Sequence, residues 1–543
     1  MAERVIRFIA VALLLCIPAG GAAQSLDLDA ATVADLNAAF ARGALTSERL
    51  VQLCLARIEA YDRKGPALRA IITLNPKAIE TARALDAERK AKGPRSPLHG
   101  IPIVLKDNYD TSDMPTTGGS LLLEGSIPPD DAFMVKKLRA AGAIILAKVN
   151  LSEFASGGAR SSIGGQSHNP HDLTRTPSGS SGGTGIAVAA GYAPIGLGTD
   201  TGGSIRGPPT SNGIVGLNPP HGLLSRDGII PLALSFDTGG PMARTVYDVA
   251  VALSAMTGID PADAATKKSE GKVSNDYTTA LKADALKGAR IGLARDFMGQ
   301  DADVDWIVEA AVAAMKKAGA TVVDVRYPRW LIDAKGEFYN AIRYPEFAAQ
   351  IADYLATTGP SYPKNIGQLI ERANGITSPR PDGAGPNQSR WTLVAREAAS
   401  GTLTDYRYTS VRDHALPLAR AAVEGLMAAQ QLDAIVYPTS PRRPALLSSP
   451  PDPPGGPSTS ATNIANLTGF PDLIVPAGFT SDGLPVGISF FSPAFTEAKL
   501  LGLGYSFEQA TRARRRPILT PALPGEAISA GSVSSDGKGR AQR

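Results

Sequence analysis

The sequence predicts an α/β protein in which helices cover a β-sheet. Two segments carry this prediction, because each contains an amphipathic helix, a glycine that ends it and a short apolar strand that follows. The first is DDAFMVKKLRAAGAIILAK, with Gly142 between helix and strand. The second is VDWIVEAAVAAMKKAGATVVDV, which follows the strand-like ARIGLARDF. Alternating strands and helices favour a sheet that lies between helical layers.

The first element along the chain is an export signal, residues 1–23. Arg4 and Arg7 precede an apolar run of about ten residues, and the small residues AGGAA follow it. The run is too short to cross a bilayer, which takes about 20 residues. We therefore expect cleavage after Ala23 and a soluble periplasmic or secreted protein whose main domain covers residues 24–523.

Cysteine, histidine and charge content exclude several classes of protein. The chain has two cysteines, and Cys16 belongs to the predicted signal, so Cys54 has no partner for an internal disulfide. Cys54 lies in the predicted helix SERLVQLCLARIEAY, and we expect its side chain to pack in the protein core. His168 and His171 lack a third metal ligand at a suitable spacing, so we expect no metal site. A net charge of +4 over 543 residues does not indicate nucleic-acid binding.

The apolar run IPIVL, within LHGIPIVLKDN of residues 98–108, predicts a buried strand that ends at Lys106. Burial lowers the pKa of a lysine, and the neutral amine that results can act as a base. Asp107 would oppose this by favouring the charged form, but adjacent side chains on an extended segment point to opposite faces.

Two serine clusters embedded in glycine, GSSGG around Ser180 and GTDTGGSIR around Ser204, lie on either side of the apolar stretch IAVAAGYAPIGL. Glycine beside serine allows the close backbone approach that a hydroxyl nucleophile with amide donors needs. Residues 179–183 also fit G-x-S-x-G, with Ser181 as the nucleophile of an α/β-hydrolase, but no HGGG-type donor loop is present. A phosphate-binding loop is disfavoured because no G-K-[ST] follows, and a single cluster alone would be typical of a turn.

With GIPIVLKDN, GSSGG and GTDTGGSIR in this order, the sequence resembles the amidase signature family, and the resemblance continues through IVGLNPPHGLLSRDGIIPLALSFDTGGPMARTVYDVA and NLTGFPDLIVPAGFTSDGLPVGISFF. It implies a large mixed, twisted β-sheet with helices on both faces in one domain, although length alone suggests two or three. It also implies that Ser204 is the nucleophile, Ser180 a relay that follows a cis peptide bond, and Lys106 the base. No metal or organic cofactor is implied.

The resemblance assigns further residues to the site. Ser181 is expected to support the lysine by a hydrogen bond. Asp200 and Arg206 flank the turn and are expected to form a buried ion pair, with an ordinary surface salt bridge as the alternative. The expected oxyanion hole consists of the backbone N–H groups of Thr201, Gly202 and Gly203.

The activity that the resemblance implies is that of a secreted serine amidohydrolase, which cleaves a carboxamide C–N bond through an acyl-enzyme. SRDGIIPLALSFDTGGPMAR is most similar to bacterial peptide amidases, which remove the C-terminal amide of peptides. An aryl acylamidase, an esterase and a non-catalytic binding protein stay open, whereas the export signal disfavours the amidotransferase subunit that acts on charged tRNA. The expected partner is a small-molecule or peptide amide, with no nucleic acid and no membrane; the sequence determines neither the particular substrate nor the oligomeric state.

Three positions depart from the family pattern, namely Ser178, Gly207 and Asn218, and they weaken any transfer of substrate preference. The proline-rich residues 437–462 are either a surface loop or part of the pocket lining. Residues 524–543 are small and polar, and we expect them to be disordered.

Overall fold

The computed structural model describes residues 27–449 and 460–528; the predicted signal, residues 1–23, lies outside the described residues. The strands are β1 (Ile71–Leu74), β2 (Pro102–Lys106), β3 (Ile144–Val149), β4 (Arg160–Ser161), β5 (Gly165–Gln166), β6 (Ile195–Asp200), β7 (Val215–Asn218), β8 (Thr238–Ala243), β9 (Arg290–Ala294), β10 (Thr321–Val325), β11 (Ala434–Pro438), β12 (Asp472–Phe479) and β13 (Pro485–Phe491).

The α-helices are α1 (Val33–Ala41), α2 (Ser47–Ile58), α3 (Ala78–Lys92), α4 (Phe133–Ala140), α5 (Gly182–Ala189), α6 (Gly207–Asn212), α7 (Val246–Met256), α8 (Ala302–Lys317), α9 (Arg329–Ala356), α10 (Ile366–Asn374), α11 (Gln388–Ala398), α12 (Tyr406–Ser410), α13 (Leu416–Ala429), α14 (Ile464–Thr468) and α15 (Glu497–Thr511). None of the helices in residues 27–449 and 460–528 is long and apolar enough to cross a membrane.

Eleven strands form one sheet in the order β1-β3-β2-β6-β8-β7-β12-β13-β11-β9-β10, and β4 and β5 form a separate hairpin. The pairs β2·β3, β2·β6, β9·β10 and β9·β11 are parallel, and the other pairs are antiparallel. The sheet is therefore mixed, as the sequence resemblance implied.

Helices cover the central strands. Every residue of β2, β3, β6, β7, β8, β11 and β13 is buried, the pattern of strands enclosed on both faces. α5 packs on α6, and α15 packs on α7 and α8; both groups contact the middle of the sheet.

The two helix, glycine and strand units predicted from the sequence are confirmed. α4 ends before Gly142, which has φ +87°, and β3 follows; α8 ends before Gly319, which has φ +95°, and β10 follows. Both glycines adopt the left-handed conformation that favours glycine at the end of a helix. Cys54 lies in α2 and is buried, and burial raises the pKa of its thiol to about 12.

The predicted start of the disordered tail, at residue 524, is too early along the chain. Residues 524–528 are described, and the Glu526 carboxylate pairs with the Arg57 guanidinium at 2.8 Å while both side chains are buried. This ion pair joins the stretch to α2, and within the stretch the Leu523 N–H donates to the Glu526 carboxylate. Residues 529–543 lie outside the part of the chain that the structure describes.

Candidate active site

The ends of two neighbouring strands bring the predicted base to the serine clusters. Lys106 is the last residue of β2, and β6, which pairs with β2 in parallel, ends at Asp200 just before the loop that carries Ser204. Because parallel strands end at the same edge of a sheet, Lys106 and that loop lie together. Ser180 precedes α5, which packs on both strands.

The Lys106 amine is fully buried and makes three polar contacts. Its Nζ lies 2.6 Å from Ser180 Oγ, 2.7 Å from Thr199 Oγ1 and 3.2 Å from the Thr199 carbonyl oxygen. A neutral amine has two N–H donors and one lone pair. Two acceptors on Thr199 and one hydroxyl on Ser180 match that set.

Burial lowers the pKa of Lys106 from 10.5 to about 7, although the carboxylates of Asp200 and Asp237 act in the opposite direction. The Asp107 carboxylate faces away, as the alternation of side chains along a strand predicted. It accepts from the backbone N–H of Gly119 at 3.2 Å and lies 3.3 Å from Lys148 Nζ. The amine is therefore suited to act as a base near neutral pH.

The bond between Gly179 and Ser180 is a cis peptide bond, as the resemblance implied. Ser180 is buried, whereas Ser204 is partly exposed. Within residues 27–449 and 460–528, no hydrogen bond joins the two hydroxyl groups. Contacts of this kind commonly shorten when a substrate binds.

The loop after β6 is built around a buried ion pair, as expected. Asp200 Oδ1 lies 3.2 Å from Arg206 Nη2. The Asp200 carboxylate also accepts from the backbone N–H of Gly203 at 2.7 Å and from that of Ile205 at 2.8 Å. Burial alone would raise the pKa of Asp200, but Arg206 and these hydrogen bonds hold the pKa below its ordinary value. Asp200 is thus an anion around which the turn closes.

One of the expected oxyanion donors is already engaged. The N–H of Gly203 donates to Asp200, so this group shapes the loop and is not directed at a substrate oxygen. By contrast, the N–H groups of Gly202 and Ser204 donate to no acceptor in the described part of the chain. The backbone donors to consider are therefore Thr201, Gly202 and Ser204.

Gly202 is required by close packing. A Cβ at this position would lie 2.8 Å from the ring of Tyr339 on α9, closer than real Cβ contacts. Tyr339 in turn stacks on Phe236, with ring centroids 5.5 Å apart. α9 therefore covers the loop that carries Ser204.

Comparison with known proteins places this geometry in a family. The family model described as Amidase matches residues 49–501. The chain belongs to the amidase signature family. It is thus a serine amidohydrolase of the C–N hydrolase class, with the mixed sheet of that family.

Solved relatives of this amidase include two peptide amidase structures. The native peptide amidase from Stenotrophomonas maltophilia is 39% identical, with a TM-score of 0.80, and the match covers 91% of this chain and 99% of that one. A peptide amidase in complex with the competitive inhibitor chymostatin is 40% identical, with a TM-score of 0.81 and coverage of 90% and 99%.

Curated relatives of the amidase include the A subunit of the glutamyl-tRNA(Gln) amidotransferase of Thioalkalivibrio sulfidiphilus. It is 36% identical over 498 residues, which cover 89% of this chain and 98% of the relative. The structure of the corresponding subunit from Thermotoga maritima is 28% identical, with a TM-score of 0.68 and coverage of 91% and 98%.

One supporting residue of the amidase was wrongly predicted. Ser181 does not hydrogen-bond the lysine: its Oγ donates to the Thr199 carbonyl at 3.2 Å and accepts from the Thr199 N–H at 3.3 Å. It is buried at the start of α5 and holds the end of β6, so it lacks the exposure that a G-x-S-x-G nucleophile needs.

Thr199 is the lysine partner that sequence reasoning missed. Its Oγ1 also accepts from Asn108 Nδ2 at 3.1 Å. The only signal was its place in the GTDTGGSIR motif, because a hydroxyl at the end of one strand contacts the end of its neighbour only once the pairing is known.

Asn466 on α14 is a second missed residue. Its Nδ2 donates to Asp200 at 2.9 Å, and its Oδ1 accepts from Arg206. The neighbouring Thr462 also reaches the loop, since a Cβ at Gly203 would lie 3.0 Å from its methyl carbon. The described end of the proline-rich segment 437–462 therefore contacts the site, while residues 450–459 lie outside the described residues.

Two of the three departures from the family pattern in this amidase compensate for one another. A Cβ at Gly207 would lie 2.3 Å from Ser178 Oγ and 3.8 Å from the Gly179 carbonyl oxygen. The Ser178 side chain thus occupies the space that a side chain at 207 would need. The third, Asn218, ends β7 and donates to the Phe470 carbonyl at 3.4 Å.

Proposed function

We propose that this protein hydrolyses the C-terminal carboxamide of peptides, with Ser204 as nucleophile, Ser180 as relay and Lys106 as base. The buried Lys106 amine, in contact with the Ser180 hydroxyl and with Thr199, is the observation that carries the mechanism. The similarity to two peptide amidase structures, at 39% and 40% identity, supports the substrate class.

The reaction begins with an uncharged Lys106. Thr199 accepts the two N–H groups of the amine, which leaves the lone pair to take the hydroxyl proton of Ser180. Ser180 Oγ then takes the proton of Ser204, and Ser204 Oγ attacks the carboxamide carbon. This chain of transfers requires the neutral amine, because an ammonium has no lone pair.

The tetrahedral intermediate places negative charge on the former carbonyl oxygen. We assign its stabilisation to the N–H groups of Thr201, Gly202 and Ser204, and one such donor typically contributes about 3 to 4 kcal/mol to catalysis. Collapse breaks the C–N bond, and the proton held by Lys106 returns through Ser180 to the departing ammonia. Water then attacks the ester to Ser204, activated by the same relay, and releases the peptide acid.

Release of ammonia from N-acylated peptide amides tests this proposal, with matched peptide esters, anilides and free glutamine as alternative substrates. We expect the amide to be turned over, Ser204→Ala to be inactive, and Lys106→Ala to keep a slow rate that rises at high pH. Ser410→Ala is the matched control, since that hydroxyl binds only the carbonyl of Arg407 in its own helix. Turnover of the ester alone, or full activity of Ser204→Ala, would overturn the assignment.

A second candidate is hydrolysis of the glutamine amide, as part of a larger assembly. The 36% identity to the A subunit of a glutamyl-tRNA(Gln) amidotransferase favours it. The lower TM-score of the solved amidotransferase structure, 0.68 against 0.80, favours the peptide amide. Preferential turnover of free glutamine in the same panel would select the second candidate.

We also propose that the enzyme is exported, on the basis of the predicted signal over residues 1–23. Fractionation of cells that produce the full chain tests this. The enzyme is expected outside the cytoplasm with residue 24 at its N-terminus, and an intact N-terminus in the cytosolic fraction would contradict the proposal.

A further inference from the structure

A buried carboxylate supports the first residue of the loop that carries Ser204. β6 and β8 pair in antiparallel register with Asp200 opposite Thr238, so Asp237 lies beside Thr201. The Thr201 hydroxyl donates to Asp237 Oδ1. Both residues are buried.

The other oxygen of Asp237 is held by the backbone. The N–H groups of Leu232 and Ala233 donate to Oδ2 at 2.8 and 2.9 Å. These three donors fix the carboxylate, and through it the Thr201 side chain. A charge-assisted hydrogen bond to a carboxylate is about twice as strong as one between neutral groups, so this contact can hold a turn in one conformation.

Three charged or titratable groups interact electrostatically with Asp237, namely Lys106 on β2, Arg226 in the preceding loop and Tyr339 on α9. Asp200 ends β6, the strand that pairs with β8 directly after Asp237. Burial raises the pKa of Asp237 to about 6, while the hydrogen bonds and Arg226 act to lower it. The ionised Asp237 also raises the pKa of Lys106.

We propose that Asp237 is a positioning residue that, through the hydroxyl of Thr201, orients the backbone donors of the loop towards the oxyanion. The proposal rests on the proposed amide hydrolysis and deepens it. Asp237 touches no reacting atom; it acts on the transition state through Thr201.

The test compares Thr201→Val, which has the same shape without the donor, with Thr201→Ser, which keeps the hydroxyl, and with Asp237→Asn. We expect Thr201→Val and Asp237→Asn to lower kcat about 10- to 100-fold with KM within about threefold, since only transition-state contacts are lost. Thr201→Ser is expected to keep most of the activity. Combining Thr201→Val with Asp237→Asn should add little, because both remove the same contact.

Two further readouts separate positioning from a merely structural role. The affinity for a peptide aldehyde, which forms a tetrahedral adduct with serine, should fall by the same factor as kcat. Removing the negative charge should also move the acid limb of kcat/KM to lower pH in Asp237→Asn, because the pKa of Lys106 falls, whereas Thr201→Val should leave that limb in place.

Wild-type kcat in Thr201→Val, or unchanged aldehyde affinity alongside a lower kcat, would overturn the proposal. Thr201→Val and Thr201→Ser test the contact even if Asp237→Asn does not fold. If the wild type hydrolyses an ester and no peptide amide, the proposed function fails, while the ratios between variants and wild type on the ester still decide the role of Asp237.

Discussion

Replacing Lys106 with methionine should reduce turnover to a slow residual rate and at the same time change how the stability of the protein depends on pH. In the unfolded chain this lysine has a pKa near 10.5, and in the folded protein burial lowers it to about 7. Between these values the unfolded state binds more protons than the folded state. Stability of the wild type therefore rises with pH across this window, and the stability of a methionine variant lacks that contribution.

The magnitude follows from the two pKa values. Holding the amine neutral costs the wild type about 4 kcal/mol of unfolding free energy at pH 7 and about 2 kcal/mol at pH 9. Methionine removes this cost, but it also leaves the acceptors on Thr199 without their donor, which costs about 1 to 3 kcal/mol at either pH. The second contribution cancels when the two pH values are compared. The stability of Lys106→Met relative to wild type should therefore fall by about 2 kcal/mol from pH 7 to pH 9.

Calorimetric melting at a fixed scan rate measures this change. For a chain of this length the entropy of unfolding is about 1 kcal/mol/K, so about 2 kcal/mol corresponds to about 2 °C in Tm. Lys316→Met is the matched control, because it makes the same change of side chain at an exposed position on α8. A Tm difference between Lys106→Met and wild type that is the same at pH 7 and pH 9 would show that the folded enzyme keeps Lys106 charged, and the base assignment would fail.

Three other outcomes are expected from the same geometry. On a peptide amide, kcat/KM should rise about tenfold from pH 6 to pH 8 as Lys106, with its pKa of about 7, loses its proton; a flat profile would contradict this. Gly207→Ala should lower both activity and Tm because its Cβ meets Ser178 Oγ at 2.3 Å, and adding Ser178→Gly should restore both; no recovery in the double variant would disprove the packing argument. Asn466→Ala should lower kcat about tenfold by removing a donor to Asp200, and unchanged kinetics would show that the loop needs no such donor.

Local patterns in the sequence were sufficient to predict the burial of Lys106 and the orientation of its neighbour. The apolar run IPIVL predicted a buried strand that ends at Lys106, and the alternation of side chains predicted that Asp107 faces away. The resemblance to a family supplied the cis peptide bond before Ser180. These features depend on neighbouring residues or on a motif, so a single sequence contains them.

Contacts between distant strands could not be predicted in this way. Thr199 lies 93 positions from Lys106 and Asn466 lies 266 positions from Asp200, and only the pairing of β2 with β6 and the packing of α14 bring them together. The wrong prediction of a hydrogen bond between Ser181 and the lysine has the same origin. The Ser181 hydroxyl could accept such a bond, but in the folded chain it hydrogen-bonds the backbone of Thr199 instead.

The order of the strands has a consequence for biosynthesis. β12 and β13 join the two halves of the sheet, yet they are the last strands in the described residues, and Asn466 just before them completes the loop around Asp200. A nascent chain that has emerged from the ribosome as far as α13 already contains all three candidate catalytic side chains. It does not yet contain α14, β12 and β13. We therefore expect the amidase site to be completed only after Asn466, β12 and β13 have been synthesised.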